Sequence, residues 1–210
     1  MIAGVLLAAG RSSRLGRPKQ LLPLAGRPLI AHALGNALAS MLDDIVVVLG
    51  HDAPEIERVI VASLEPPRTR VIVNPRYAEG QATSVVAGLA ALPPDAEAAL
   101  FLLGDQPGVT PATIDAILAA FRERPAPIVA PTYAGTIGNP VLFSSELFSD
   151  LLLLKGDEGA RGLVRQHIGT VHRVETGLAA PPPDIDTEAD YRALLAARHL
   201  VTDGGDTESG

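Results

Sequence analysis

Seven consecutive residues, Ile2-Ala-Gly-Val-Leu-Leu-Ala8, carry no polar side chain, and the run stops at Gly10-Arg11-Ser12-Ser13-Arg14. A short apolar run bounded by turn residues reads as a buried strand. A strand apolar on both faces belongs in a parallel sheet with helices on both sides. The pattern recurs: apolar runs at 45–50, 70–74 and 98–103 alternate with amphipathic stretches at 28–40, 53–64, 82–92 and 111–122. Thr110-Pro111 supplies an N-cap with proline at the first helical position. After Ala130 the pattern loosens into short strands at 128–131, 140–143 and 170–174 and helices at 145–152, 159–167 and 187–199. The expected fold is therefore α/β: a single Rossmann-like domain over residues 1–200, its mostly parallel sheet sandwiched by helices. Residues 201–210 are polar and glycine-rich and read as a flexible tail.

Composition narrows the function. With aromatics at 3%, the core must be aliphatic. The absence of cysteine excludes disulfides, thiolate catalysis, Fe–S clusters and Cys-ligated zinc. Five histidines lack metal-ligand spacing. A net charge of −7 argues against a nucleic-acid surface. No apolar stretch reaches the roughly 18 residues of a membrane span. The first strand starts at Ile2, leaving no charged leader or cleavage site, and this predicts a cytoplasmic location.

Against that acidic background the loop after the first strand is basic, with Arg11, Arg14, Arg17 and Lys19. Lys19 is one of only two lysines in the chain. A glycine-bearing loop lets the backbone of Ala8, Ala9 and Gly10 approach an anion closely, and the cations then suit a polyphosphate. The alternative is a solvated basic turn. The loop has neither GxGxxG nor GxxxxGK[ST], which argues against a dinucleotide-dependent dehydrogenase and a P-loop ATPase.

Ligands of doubly wound sheets bind at the C-terminal strand ends. There the run 98–103 delivers Gly104-Asp105-Gln106-Pro107. Asp105, on the same rim as the basic loop, outlines a magnesium site, or else is a turn aspartate. In Asp184-Ile185-Asp186-Thr187 two carboxylates share one side if the segment is extended, which suits a shared cation; the alternative is a helix cap by Asp186. Gly80 allows close approach to a planar group, and Thr83 and Ser84 offer hydroxyls, unless they only start a helix. Gly138-Asn139-Pro140 and Gly156-Asp157-Glu158-Gly159-Ala160-Arg161 are plain turns or, for the second, an anion-friendly helix start.

Together these segments resemble a family. Leu7-Ala8-Ala9-Gly10-Arg11-Ser12-Ser13-Arg14-Leu15-Gly16, followed by Lys19, is similar to the signature loop of nucleotidyltransferases with a glycosyltransferase-A-like Rossmann fold. Leu15 stands where many members have Met. The segments at Gly80–Ser84, Gly104–Pro107, Gly138–Pro140, Gly156–Arg161 and Asp184–Thr187 resemble the molybdenum cofactor cytidylyltransferase branch, over residues 2 to about 198. Some members carry His at the position of Asn139.

The resemblance implies Mg²⁺-dependent transfer of CMP from CTP to the terminal phosphate of molybdopterin-bound molybdenum cofactor, with release of pyrophosphate. Arg14, Lys19 and Asp105 would be catalytic. Ala8, Ala9, Gly10, Arg11, Gly80 and Ser84 would join them in holding the nucleotide. Asp105 and Asp186 would hold the metal, and Asn139, Asp157 and Arg161 would face the acceptor. Related guanylyltransferases typically read Ala-Gly-Gly where this chain has Ala8-Ala9-Gly10, which leaves less room for a purine and favours CTP. The implied partners are these two substrates and a molybdoenzyme or its chaperone. Competing readings are a guanylyltransferase, a methylerythritol-phosphate cytidylyltransferase, a sugar-phosphate nucleotidyltransferase, or a non-catalytic accessory protein that binds nucleotide.

Overall fold

The computed structural model describes residues 1–64 and 68–203. Among the described residues ten strands form: β1 (Ile2–Ala8), β2 (Pro23–Leu24), β3 (Arg27–Pro28), β4 (Asp44–Leu49), β5 (Thr69–Val73), β6 (Ala98–Leu103), β7 (Ile128–Tyr133), β8 (Thr136–Ile137), β9 (Val141–Ser144) and β10 (His172–Glu175). Between and after them lie α1 (Leu29–Leu38), α2 (Ala53–Ile60), α3 (Gln81–Ala90), α4 (Pro111–Glu123), α5 (Phe148–Leu152), α6 (Arg161–Gln166) and α7 (Glu188–Asp203).

The main sheet has the order β10-β7-β9-β6-β1-β4-β5, with β8 paired to β7. β1 pairs in parallel with both β4 and β6, and β4 in parallel with β5. β9 runs against both β6 and β7, and β10 is parallel to β7. The sheet is thus mostly parallel, as expected, and strand reversal is confined to the later elements where the sequence pattern loosens.

All seven residues of β1 are buried, and alternation divides them between two cores. Ile2, Leu6 and Ala8 face a layer that includes Ile30 and Leu34 of α1, Ile56 of α2 and Ile117 of α4. Val5 and Leu7 face the opposite layer, with Val85 and Leu89 of α3, Leu151 of α5 and Leu163 of α6. β4 and β6 divide in the same way. Each buried Val, Leu or Ile contributes roughly 1.5–3 kcal/mol on full burial, so a core that is mostly aliphatic holds the sheet.

Sequence and structure differ at the ends. The helix expected at 159–167 begins only at Arg161, because Gly159 has φ +55°. Of the tail expected from 201, residues 201–203 belong to α7, which runs through Asp203, and residues 204–210 lie outside the described residues. Among the described residues no helix is long and apolar enough to cross a membrane.

Candidate active site

Register sets the site. Leu7 pairs with Leu103 and Ala8 with Leu49, so β1, β4 and β6 end side by side. Gly104 N–H donates to Leu7 C=O at 2.9 Å, which sets the loop after β6 against the loop after β1. Where the strands end, a cavity of about 440 Å³ opens.

The first loop is shaped by a residue the sequence analysis did not single out. Gln20, 2% exposed, donates from Nε2 to Ala8 C=O at 3.0 Å and Gly10 C=O at 3.2 Å. Ser12 Oγ accepts from Lys19 N–H at 3.0 Å. These bonds bend the chain so that Ala8, Ala9, Gly10, Arg11, Arg14 and Lys19 all line the cavity. The Arg11 guanidinium carbon lies 5.6 Å from the Tyr77 ring centroid. Arg17 does not join them: it pairs with Glu188 at 2.9 Å and lies over Tyr191, so the expectation that all four cations serve one anion is corrected. Its partner lies far along the sequence, which hides the pairing from any local reading.

Lys19 sits at the centre of a charge cluster. Its ammonium pairs with Asp105 and, at 2.7 Å, with Asp186 Oδ1. Arg14 reaches Asp186 Oδ2 at 3.1 Å. Burial works to lower the Lys19 pKa, but the charges and hydrogen bonds of Asp105 and Asp186 outweigh it and hold the ammonium above its ordinary value. The hydrogen bond from Lys19, against some desolvation, keeps the Asp186 carboxyl below the usual carboxylate range. Asp184 moves the other way, raised by burial and by the charges of Asp105 and Asp186. It accepts from Gln106 Nε2 at 2.6 Å, while Gln106 Oε1 has no partner among the described residues.

Asp186 reaches the cavity because it does not cap a helix. Thr187 does that, with its Oγ1 accepting from Asp190 N–H at 3.2 Å, and Asp190 accepts in return from Thr187 N–H at 2.7 Å. Ile185 N–H donates to Asp105 C=O at 3.2 Å, pinning this segment to the loop after β6.

The other predicted residues divide. Gly80, Ser84, Asp157 and Arg161 line the same cavity. Gly80 has φ +118°, and a Cβ there would collide with the Gly156 carbonyl. Ala82 N–H donates to that carbonyl at 3.0 Å, so the start of α3 and the loop at 156 are in contact. Ser84 is buried and accepts from Asn74 Nδ2 at 3.0 Å. Asp157 and Arg161, expected to face the acceptor, share the walls of this cavity with the nucleotide candidates. Asn139 lies outside this cavity, in the adjoining grooves that Arg161 also lines. Its carbonyl accepts from Tyr133 Oη at 2.8 Å.

Residues 4–171 match the model of the MobA-like NTP transferase domain. The chain is 34% identical over 203 residues to nicotine blue oxidoreductase of Paenarthrobacter nicotinovorans, covering 92% of this chain and 96% of that protein. It is 33% identical over 201 residues to purine catabolism protein PucB of Bacillus subtilis, covering 93% and 97%. The crystal structure of Rv0371c from Mycobacterium tuberculosis in complex with manganese superposes with a TM-score of 0.77 at 31% identity, covering 93% and 98%. With its basic loop after β1, its aspartate after β6 and a family match over most of its length, the chain belongs to the MobA-like NTP transferase domain family of nucleotidyltransferases.

Proposed function

We propose that the protein transfers CMP from CTP to the terminal phosphate of molybdopterin-bound molybdenum cofactor and releases pyrophosphate. The observation that carries this reading is the convergence of Lys19, Arg14, Asp105 and Asp186 in one cavity at the strand ends. Cations and carboxylates in one place suit a nucleoside triphosphate bound with a divalent ion. The protein would act in the cytoplasm and serve a molybdoenzyme or its chaperone; the name of one relative, a purine catabolism protein, fits an enzyme whose substrates are nitrogen heterocycles.

The donor set fits Mg²⁺. Asp105 and Asp186 are hard oxygen donors that already converge on one cation, the Lys19 ammonium. Mg²⁺ usually takes one or two carboxylates and keeps several waters. Asp186, held ionised, is the better second ligand, while Asp184 is engaged by Gln106. The manganese complex of the mycobacterial relative supports a divalent ion. When bound, the ion would neutralise charge on the triphosphate and the leaving pyrophosphate.

The chain's own residues then position and neutralise. Arg14 and Lys19, assisted by Arg11, hold the triphosphate. Gly80 and Ser84 offer a close backbone and a hydroxyl to base or ribose. Arg161 faces the acceptor phosphate. An acceptor oxygen attacks the α-phosphorus in line; the new O–P bond forms as the bond to the β-phosphate oxygen breaks. No strong general base is required, because a phosphate monoester with a second pKa near ~6 is already anionic at neutral pH. Catalysis is orientation plus charge stabilisation.

The test is pyrophosphate release by the purified protein with Mg²⁺, a panel of nucleoside triphosphates and the cofactor. Release with CTP that depends on the cofactor is expected. Release with methylerythritol phosphate or a sugar phosphate instead would reassign the acceptor, and no release with any of them would favour an accessory role.

A further inference from the structure

Beside the cavity lies a second groove of about 690 Å³, between the β7–β8 turn, α6 and the segment Pro181–Pro183. Arg161 and Asp184 line both spaces, so the two adjoin. Arg14 and Lys19 line only the first. The volume is that of a small-molecule site, well short of a folded partner.

Its chemistry is mixed in a defined way. Ile137, Val164 and Ile168 give an apolar wall, and Ile168 is 48% exposed. Three arginines, Arg161, Arg165 and Arg173, line it against one carboxylate, Asp184. Arg165 is paired with Glu158. Among the described residues Arg161 and Arg173 have no ion-pair or hydrogen-bond partner. Two guanidinium groups outside any ion pair, of which Arg161 acts on Asp184 through its charge alone, in a chain of net charge −7 mark a local demand for anions.

The wall is preformed. Pro181 and Pro182 pack where Gly138 and Gly108 have no side chain: a Cβ on Gly138 would lie 3.5 Å from Pro181 Cβ, and one on Gly108 would lie 3.1 Å from Pro182 Cβ. Proline-rich backbone is stiff, so little ordering cost attends binding.

We infer that this groove is the acceptor subsite, and that it takes a partly apolar molecule with two separated anionic groups, one of them the reacting phosphate. The inference rests on the nucleotidyl-transfer reading above. Arg161, at the junction of the two spaces, directs the reacting phosphate towards the nucleotide. Arg173, which lines only the groove, meets the second anionic group. The body of the acceptor lies on the Ile168 and proline wall between them.

Two exposed wall residues test this without threatening the fold: Arg173→Glu and Ile168→Asp. In transfer assays with CTP and molybdenum cofactor, KM for the cofactor should rise about tenfold in the first and about fivefold in the second, with kcat and KM for CTP within about twofold. Unchanged cofactor KM in both variants, or a loss expressed in CTP binding, would overturn the subsite. A separate arm needs no catalysis: fluorescence titration with bis-anilinonaphthalene sulfonate, an aromatic probe anionic at two ends. Weaker probe binding in both variants is expected. If the wild-type protein transfers nothing to the cofactor, the functional reading fails on its own. Probe binding lost in both variants would then still support a two-ended anion groove, and equal binding would overturn it.

Discussion

Lys19 Nζ lies 2.7 Å from Asp186 Oδ1 while also paired with Asp105, so one ammonium draws together chain segments 167 residues apart. The three groups come from the loop after β1, the loop after β6 and the approach to α7. Two neighbouring carboxylates repel unless a cation stands between them. In this structure the cation is Lys19.

Entry of a divalent ion between Asp105 and Asp186 must therefore displace Lys19, and an incoming triphosphate offers that ammonium a new partner. Lys19→Met should bind Mn²⁺ more tightly than the wild type without nucleotide, as read by electron paramagnetic resonance. Its transfer rate should fall by an amount worth about 2–4 kcal/mol of transition-state stabilisation. Mn²⁺ affinity no better than wild type, with near-normal turnover, would remove Lys19 from both roles.

Asp105→Asn should abolish turnover at any Mg²⁺ concentration and leave the circular dichroism spectrum unchanged. A neutral amide is a poor Mg²⁺ ligand, and Asp186 remains to hold Lys19. Retained activity with an unshifted Mg²⁺ midpoint would make Asp105 a turn residue.

Much of this architecture is legible in the chain because burial writes itself into the strands. β1, β4 and β6 are apolar on both faces, and their ends locate Gly10 and Asp105 on one rim. β2 and β3 escape such a reading, since two residues each carry no period. Residues whose role is a contact made elsewhere escape too. Gln20 looks like any polar loop residue until its amide is seen against the carbonyls of Ala8 and Gly10. Asp190 carries no local signal beyond a capping pattern, yet its cap with Thr187 leaves Asp186 to the site. Arg17 misleads for the converse reason: its loop is basic, but its partner is on α7.

Nucleotide choice should turn on Ala9. This residue is 5% exposed and lines the cavity, and a Cβ on Gly50 would lie 2.8 Å from its own Cβ, so the wall behind it is closely packed. The wild type should prefer CTP over GTP by about tenfold or more in kcat/KM. Ala9→Gly should narrow that ratio by improving GTP use. Equal use of both nucleotides by the wild type would sink the argument.

Packing of α3 gives a stability test in which two effects compete. Gly to Ala inside a helix ordinarily gains about 1 kcal/mol. At Gly88 a Cβ would run into Val5 Cγ1 and lie 3.1 Å from Val48 Cγ2, both on buried strands. Overpacking of this kind costs about 1–3 kcal/mol, so Gly88→Ala should be net destabilising. Gly35 on α1 is the control, since its added Cβ meets only Arg27 Nη2 at 3.7 Å. Urea midpoints should move in opposite directions for the two variants.

Gln20 separates shape from charge, because it bears no charge and bonds the loop's backbone, although it also lines the cavity. Its amide donates to two backbone carbonyls, and its Oε1 accepts from Ser12 Oγ at 3.4 Å; Ser12 in turn accepts from Lys19 N–H. Gln20→Leu keeps the volume but leaves Ala8 and Gly10 carbonyls without that donor, at a cost of about 1–3 kcal/mol. Melting should drop by several degrees, at about 2–4 °C per kcal/mol for a chain of this size. The loop that carries Arg11, Arg14 and Lys19 should relax, so CTP affinity should fall about tenfold although every cation is retained. Gln20→Glu should be worse, since an ionised carboxylate cannot donate and would face two carbonyl oxygens. Calorimetric titration with CTP and a thermal melt of each variant decide the matter. Wild-type CTP affinity in Gln20→Leu would mean that the loop holds its shape without this side chain.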